Sequence, residues 1–538
     1  AQRKCDASVS SVQSVSRIAM VRWPESNAMD PWKSAFIRDP FAMCDVCDAF
    51  VSDDYVSWCL RGCDERESCH NARTDLEAPM EADTYRSRRE HLRAEVDGGA
   101  ILILGNNDAP KNYLDNVYPF RQDSHFLYYA GINETGMAML IEPDGRDVLF
   151  GRPYDPDDLV WHGPRPYVGD HAAASGFAAD ADIATLKTEV DRLVAAGVRI
   201  HYLPPYRAER AFQLADLLDA NPEKVANGVS SDLVRAVCFQ RLTKSEDEVA
   251  EIESALSVTA EMYRVAMAEA RPGRREYEIA GLMQARALEL GRQQAFTPIV
   301  SVRGEVLHNH SYENRLGEGD LLLMDSGAES PRFYASDITR TFPVSGRFSD
   351  RQRAVYEIVL AAQMAVIHAA SPAHDNKEMH LLAARTIAGG LTALGLMRGN
   401  PDDAVESGAH ALFFPHGIGH MMGLDVHDME DLGDIVGYPE GEERSSQFGL
   451  AFLRMTRPLE PGFVITVEPG IYFIPALIDQ WRAEGRHAEF IDYDRVEAFK
   501  GFGGIRIEDD VLITEGGCRV LGPGIPKTVA EVEAACRG

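Results

Sequence analysis

Three apolar runs in the second half of the chain each end on a carboxylate: LLLMD closes on Asp325, VITVE on Glu468 and GIRIE on Glu508. A carboxylate at the buried end of a strand is costly unless it is paired or bound to a metal, so a fold that accepts these runs must bring their ends to a shared partner. Two further motifs extend the set, with Asp337 in ASDITRTFP and His420 in PHGIGHMMGLDVHD. Four carboxylates and one imidazole make a hard, oxygen-rich donor set of the kind that holds two divalent first-row cations around a bridging water. The expectation is a two-metal hydrolase. Alone, Asp325 and Asp337 would read as ordinary strand-end acids. The weight comes from His416, His420 and His427, three imidazoles within twelve positions. Their spacing is not that of a helical H-E-x-x-H site, because Gly417 and Gly419 disfavour a helix and no Glu lies between them, so a strand or loop presents them.

Charge and size exclude other classes. The chain has 538 residues, 45% of them hydrophobic, enough for more than one domain with a large core. Its formal net charge of −30, from 84 acids against 54 bases, opposes a nucleic-acid surface, which needs a basic footprint. No apolar run is long enough to span a bilayer, and the first residues, AQRKCDASVSSVQSVS, lack the apolar stretch of a secretory signal, so a cytoplasmic, membrane-free protein is expected. Cys5, Cys44, Cys47, Cys59, Cys63 and Cys69 fall before residue 80, and the body of the chain therefore does not depend on disulfides. Residues 1–79 show no sustained period and are expected to be an unordered extension, with a small zinc knuckle built on Cys44 and Cys47 as the alternative.

From Met80 the pattern becomes regular. EADTYRSRREHLRAEV reads as a helix and AILILG as a strand; HFLYYAGI, MAMLIEP and RDVLFGRP read as further strands, and IATLKTEVDRLVAAGV as an amphipathic helix. This is an α/β domain over 80–242. A long helix, EVAEIESALSVTAEMYRVAMAEA, then opens a second domain over 243–526 and stops at Arg271-Pro272-Gly273; residues 527–538 are left as a tail. No internal repeat is visible. Cys238 and the pair Met421 and Met422 read as packing residues.

DITRTFP, the HGIGH…DVHD block, VEPGIYF and GIRIEDD, in that order, resemble the signature of the creatinase/aminopeptidase P/prolidase superfamily of metallopeptidases, and the likeness is greatest to its Xaa-Pro aminopeptidase branch. It spans roughly 80–526, since YPFRQDSHFLYYAGINE resembles the N-terminal domain of that branch. Methionine aminopeptidases share the site design but lack that domain. The resemblance implies a two-domain α+β chain: a smaller α/β N-terminal domain and a C-terminal pita-bread (creatinase-like) catalytic domain with two metals in its cleft. It implies that Asp325 chelates one metal, that Asp337 and Glu508 bridge both, and that His420 and Glu468 complete the other site. Glu468 is also the candidate proton acceptor for the attacking water. His416 and His427 match the family's non-ligand histidines, which would bond the substrate and the tetrahedral intermediate. His310 in HSYEN resembles a histidine at the mouth of the site, with His308 as the rival assignment.

The reaction implied is release of the N-terminal residue from peptides with proline second, using two Mn²⁺, with Zn²⁺ or Co²⁺ able to satisfy the same ligands. A bond before proline has no N–H to recognise, so shape must replace that hydrogen bond. Trp161 in LVWHG, read as a short strand, resembles an aromatic that reaches over the site, and Arg506 is placed to orient the bridging carboxylate Glu508. Departures from the family pattern include eleven residues between Asp325 and Asp337, one more than usual, which should lengthen the hairpin tip without moving either acid. His125 stands where an aspartate is often found, and an insertion, EDLGDIVGYPEGEERSSQFGL, follows the histidines. A homo-oligomer, dimer or tetramer, is implied. Prolidase action on Xaa-Pro dipeptides and a metal-free pita-bread binding module are the competing functions; all five ligands are present, which opposes the second.

Overall fold

The computed structural model describes residues 80–537, so the expected extension over 1–79 and its zinc-knuckle alternative lie outside the described residues. The first sheet is assembled from β1 (Ala100–Leu104), β2 (Ala138–Ile141), β3 (Asp147–Gly151), β4 (Ala179–Asp182) and β5 (Ile200–His201) in the order β4-β3-β2-β1-β5. β1, β2 and β3 form an antiparallel meander, and β4 and β5 add in parallel at its edges. β1, β2 and β3 are buried at every position, as expected of continuous apolar runs covered on both faces. The helix Ala82–Glu95 lies against this sheet, and its fully buried Arg89 is neutralised by Asp147 at 2.9 Å and donates to the Tyr129 carbonyl at 2.8 Å.

HFLYYAGI is not a strand. Ser124–Ala130 is a helix, with the Asp123 side chain accepting from the Phe126 N–H at its start and Gly131 at φ +67° at its end. Aromatic composition favours strands, but the two end signals outrank it here. A Cβ on Gly131 would lie 2.2 Å from the Tyr85 ring, so this cap admits only glycine. LVWHG is likewise not a strand: Pro156–Trp161 is a short helix opened by the Asp155 cap and by Pro156 in the first turn.

The second half is built twice. Helices Glu246–Glu269 and Glu276–Glu289 stand beside a sheet of β6 (Ile299–Ser301), β7 (Leu321–Ser326) and β8 (Ile338–Pro343). Helices Asp350–Ala369 and Asn376–Ala393 stand beside β9 (Val464–Val467), β12 (Asp509–Thr514) and β13 (Gly517–Val520), with β10 (Gly470–Tyr472) and β11 (Gly504–Arg506) paired between the halves. The first helix of each pair begins with a serine capping box, at Ser245 and Ser349, and ends at an extended alanine, Ala270 and Ala370, followed two positions later by proline. This is a repeat of caps and packing rather than of sequence, which is why it is invisible in the chain. Residues 527–538 are also more than a tail: Val529–Ala535 is a helix whose Val532 is fully buried and whose Glu533 accepts from the Phe348 N–H at 3.2 Å.

Candidate metal centre

Register carries the acids to one point. In the β7–β8 hairpin Asp325 pairs with Thr339, so Asp337 stands at the mouth of the hairpin just before β8. The longer tip is absorbed at Phe333, which takes φ +67°. In the other half Val467 pairs with Asp509, placing Glu468 and Glu508 at the adjoining ends of β9 and at the entry to β12. The halves are stitched together by Glu508 N–H to the Thr339 carbonyl at 3.0 Å and by Asp337 N–H to an Asp510 carboxylate oxygen at 3.0 Å. The histidine segment runs extended beside β9, with Thr466 N–H donating to the His420 carbonyl at 3.0 Å. A Cβ on Gly419 would lie 2.0 Å from the Thr466 carbonyl oxygen, so glycine is what lets this segment approach.

Asp337, His420 and Glu508 are all buried and present donor atoms within 4.8 Å of one another. His420 Nδ1 is 3.0 Å from the Met421 carbonyl, and donating there leaves the Nε2 lone pair facing Asp337 at 3.4 Å and Glu468 at 3.9 Å. A lone pair aimed at carboxylates is repulsive unless a cation stands between them. Two more observations point the same way: Asp325 Oδ1 and Asp337 Oδ1 are buried without a hydrogen-bond partner. Burial, then the neighbouring Glu508 and Asp325, push the Asp337 carboxyl well above its usual range, and burial with Glu468 does the same to Glu508. Burial pushes Glu468 up to about 7, and His420 is driven well below the ordinary imidazole value by burial and by His427. Such a set is unfavourable when empty and favourable around divalent cations, so the residues fit a metal pair.

Arg506 acts differently from expectation. Its Nη2 donates to Asp325 at 2.5 Å, its Nε to Thr339 Oγ1 at 3.0 Å and its Nη1 to the Tyr472 hydroxyl at 3.0 Å. Glu508 is reached only through Thr339, whose hydroxyl donates to it at 2.5 Å. The correction follows from strand alternation: Arg506 and Glu508 are two apart, but β11 has ended between them. Tyr472 continues the network to His416 Nε2 at 2.9 Å, while His416 Nδ1 meets the Gly417 carbonyl at 2.8 Å. Burial pushes His416 down to about 3, so it is neutral. Tyr472 and Thr339 were not singled out from the sequence, although both lie inside the quoted motifs.

These groups line a cavity of about 510 Å³. His427 is on its wall, its ring 4.2 Å from that of His420 and its Nδ1 3.4 Å from Glu430. Both candidate mouth histidines are solvent-exposed; His308 lines the cavity and His310 does not. Nothing periodic in the loop distinguishes the two. Trp161 is 80% exposed and does not line this cavity. The insertion contributes Glu430, Asp434 and Arg444, and Arg454 just beyond it pairs with Glu430 at 2.7 Å. His125 holds the domains together, accepting from Arg241 at 2.7 Å and meeting Asp431 at 3.0 Å.

The fold and the buried donor set define a metal-dependent hydrolase. Residues 250–515 match the model of metallopeptidase family M24, and residues 85–201 match that of the aminopeptidase P N-terminal domain. The chain is 33% identical to the Xaa-Pro dipeptidase of Homo sapiens, over 84% of this chain and 91% of the human protein. It is also 33% identical to the Xaa-Pro aminopeptidase of Escherichia coli, over 84% of this chain and 96% of that protein. Among solved structures, Pseudomonas aeruginosa aminopeptidase PepP superposes with a TM-score of 0.70 at 32% identity, covering 86% of this chain and 98% of that one. Zinc-substituted E. coli aminopeptidase P in complex with product gives 0.70 at 29% identity, covering 85% and 99%. The chain belongs to metallopeptidase family M24, in its aminopeptidase P and creatinase-like superfamily, and has the expected fold of an N-terminal domain followed by a pita-bread domain.

Proposed function

We propose that the protein is an Xaa-Pro aminopeptidase, releasing the N-terminal residue from peptides with proline in the second position. The observation that carries the reading is the convergence of Asp325, Asp337, His420, Glu468 and Glu508 in one cleft, where, among the described arginines and lysines, Arg506 on Asp325 is the one bonded directly to any of the five side chains. Two divalent ions bound by these residues supply Lewis acidity and an activated water. Glu468, on the cavity wall 3.9 Å from His420, would take the proton of that water and pass it to the leaving nitrogen. The proline nitrogen must be protonated to leave, which makes this second transfer as necessary as the first. His427 and His308 flank the ion site and donate to the substrate's carbonyl oxygens. His416 lines the cavity, and its bonds to Tyr472 and Gly417 fix the ring at the wall that faces the substrate. Arg506 holds Asp325 and, through Thr339, Glu508 in their ligand orientations.

The same reading takes two Mn²⁺ as the resident ions and a cytoplasmic dimer or tetramer as the assembly. The hard donor set accepts Mn²⁺, Zn²⁺ and Co²⁺ alike, so availability selects among them. The location accords with the finding that, among the described residues, no helix is long and apolar enough to cross a membrane. Metal analysis of the purified protein tests the core of the proposal. Two divalent ions per chain, lost together with peptidase activity in Asp337→Ala, are expected; folded protein with a stoichiometry near zero would overturn it.

A second reading, Xaa-Pro dipeptidase, is favoured by Arg454. Its guanidinium lines the cavity and suits the carboxylate that ends a dipeptide. Steady-state cleavage of Ala-Pro against Ala-Pro-Ala separates the two: a strong preference for the dipeptide selects the second reading.

A further inference from the structure

Among the described residues three arginines line the metal cavity, and no lysine does. Each already carries a carboxylate. Arg506 donates to Asp325 at 2.5 Å, Arg444 to Asp434 at 2.7 Å, and Arg454 Nη1 to both carboxylate oxygens of Glu430, at 2.7 and 2.5 Å. Asp434 and Glu430 are themselves on the cavity wall, and both come from the insertion that follows the histidines. A substrate carboxylate entering this space therefore meets no unpaired arginine.

The placement of Glu430 is built into the backbone. Two residues before it, Asp428 is buried and fixed by Arg241 at 2.7 Å and Lys244 at 3.0 Å. Met429 follows, fully buried and at φ +60°, a left-handed conformation that is unfavourable for any residue with a side chain. Strain of this kind persists only where the surrounding contacts hold it, and it gathers at sites of function. The turn sets Glu430 at the start of the short 3₁₀ helix Glu430–Leu432, with its carboxylate on Arg454 and 3.4 Å from His427 Nδ1. Both members of the Glu430–Arg454 pair are partly exposed, so a substrate can reach them from the cavity.

We propose that Glu430 is a specificity-determining residue: it masks Arg454 and so turns the site against substrates whose proline carries a free carboxylate, in favour of those whose proline carries an amide. The inference rests on the aminopeptidase reading and deepens it by naming what disfavours the dipeptide. A bare Arg454 would form charge-assisted bonds to the proline carboxylate and reward the dipeptide. With Glu430 in place those bonds are taken, and a second carboxylate brought to the pair is repelled by the first. A neutral amide carbonyl meets no such repulsion. The discrimination is one of charge at the proline itself and needs no contact with later residues.

The test uses the full chain loaded with Mn²⁺ and two substrates of equal length, Ala-Pro and Ala-Pro-amide, which differ only in the charge on the proline. The ratio of kcat/KM for Ala-Pro to that for Ala-Pro-amide is measured in the wild type, Glu430→Ala, Glu430→Gln and Glu430→Ala/Arg454→Ala, with folding checked by circular dichroism. Glu430→Ala is expected to raise the ratio by about tenfold or more, the value of one charged hydrogen bond. Glu430→Gln should raise it less, because its amide oxygen still accepts from Arg454 while bringing no repelling charge; this variant decides the matter if Glu430→Ala does not fold. The double variant restores the wild-type balance of charge and should return the ratio to within about threefold of the wild type. A ratio unchanged in both single variants, or raised as far in the double variant as in Glu430→Ala, would overturn the mask and leave the aminopeptidase reading standing. A wild type that strongly prefers Ala-Pro, or cleaves neither peptide, would overturn both.

Discussion

Buried carboxylates are handled in two opposite ways in this molecule. At the junction between domains and behind the catalytic sheet three are given cations: Asp123 has Arg210 at 2.9 Å, Asp428 has Arg241 at 2.7 Å and Lys244 at 3.0 Å, and Asp509 has Arg340 and Lys527, each at 2.6 Å. Those partners hold Asp123 and Asp428 down at about 2 and keep Asp509 below its usual value, despite burial that acts the other way. In the catalytic cleft four carboxylates crowd together with only Arg506, among the described arginines and lysines, bonded directly to one of them, and Asp337, Glu468 and Glu508 are all driven upward. The chain does not lack arginines for the task. It withholds them where external cations are to bind; Asp510, buried beside the cleft and also driven upward, is held by the Asp337 N–H instead of a cation.

The sharpest way to break this contrast is to remove one acid from each group. Glu508→Ala should abolish binding of two ions and cut peptidase activity by at least about a thousandfold, as expected when a metal clamp is lost. Its metal-free form should be no less stable than metal-free wild type, because one of several mutually repelling charges has gone. Asp428→Ala should do the reverse. It strands Arg241 and Lys244 as buried charges, and a loss of about 3–5 kcal/mol of stability is expected from urea unfolding. A destabilised metal-free Glu508→Ala, or an unaffected Asp428→Ala, would show that the two groups do not differ in kind.

The functional group was legible in the sequence and the structural group was not. Asp325, Glu468 and Glu508 announce themselves because each ends a short apolar strand, a local arrangement that is costly wherever the strand goes. Asp428 and Asp123 carry no such mark, since their partners lie 187 and 87 residues away. Distance also hid the true bond of Arg506, to Asp325 181 positions earlier, and led to the nearer Glu508 being chosen. That His308 rather than His310 lines the cavity could not be read from the sequence, because loop residues have no period to fix their direction. HFLYYAGI failed because its caps, Asp123 and Gly131, were outweighed by its aromatics. The duplicated architecture was hidden for another reason: the two halves share helix caps and a turn, and these leave only a serine and a proline at matching places.

Histidines repeat the contrast on a smaller scale. His420 and His427 face the ion site, whereas His380 and His410 are sealed in the core, with both ring nitrogens of His380 unpartnered. Burial pushes His410 down to about 4 and His380 well below the ordinary value. In the unfolded chain both ionise near pH ~6.5, so below that pH the unfolded state binds more protons. Their contribution to stability is therefore complete above about pH 6.5 and is lost as pH falls through 4, with His410 alone accounting for about 3 kcal/mol. The urea midpoint at pH 7.5 minus that at pH 4.5 should shrink in His410→Leu; an unchanged difference would show that this imidazole takes up its proton alike in the folded and unfolded states.

Smaller effects test the arginine that the cleft does retain. Arg506 makes three directed bonds from one planar group, which an ammonium cannot reproduce. Arg506→Lys should keep the charge but lose Thr339 or Tyr472, lowering kcat by about 10–100-fold with both ions still bound, the range seen when a group behind a metal ligand is lost. Trp161→Ala marks the lower limit of the series. At 80% exposure its removal should change the stability of the isolated chain by no more than about 0.5 kcal/mol. A larger loss would mean that Trp161 is buried in solution by something the single chain does not provide, and the exposed end of the Pro156–Trp161 helix would then belong to an interface.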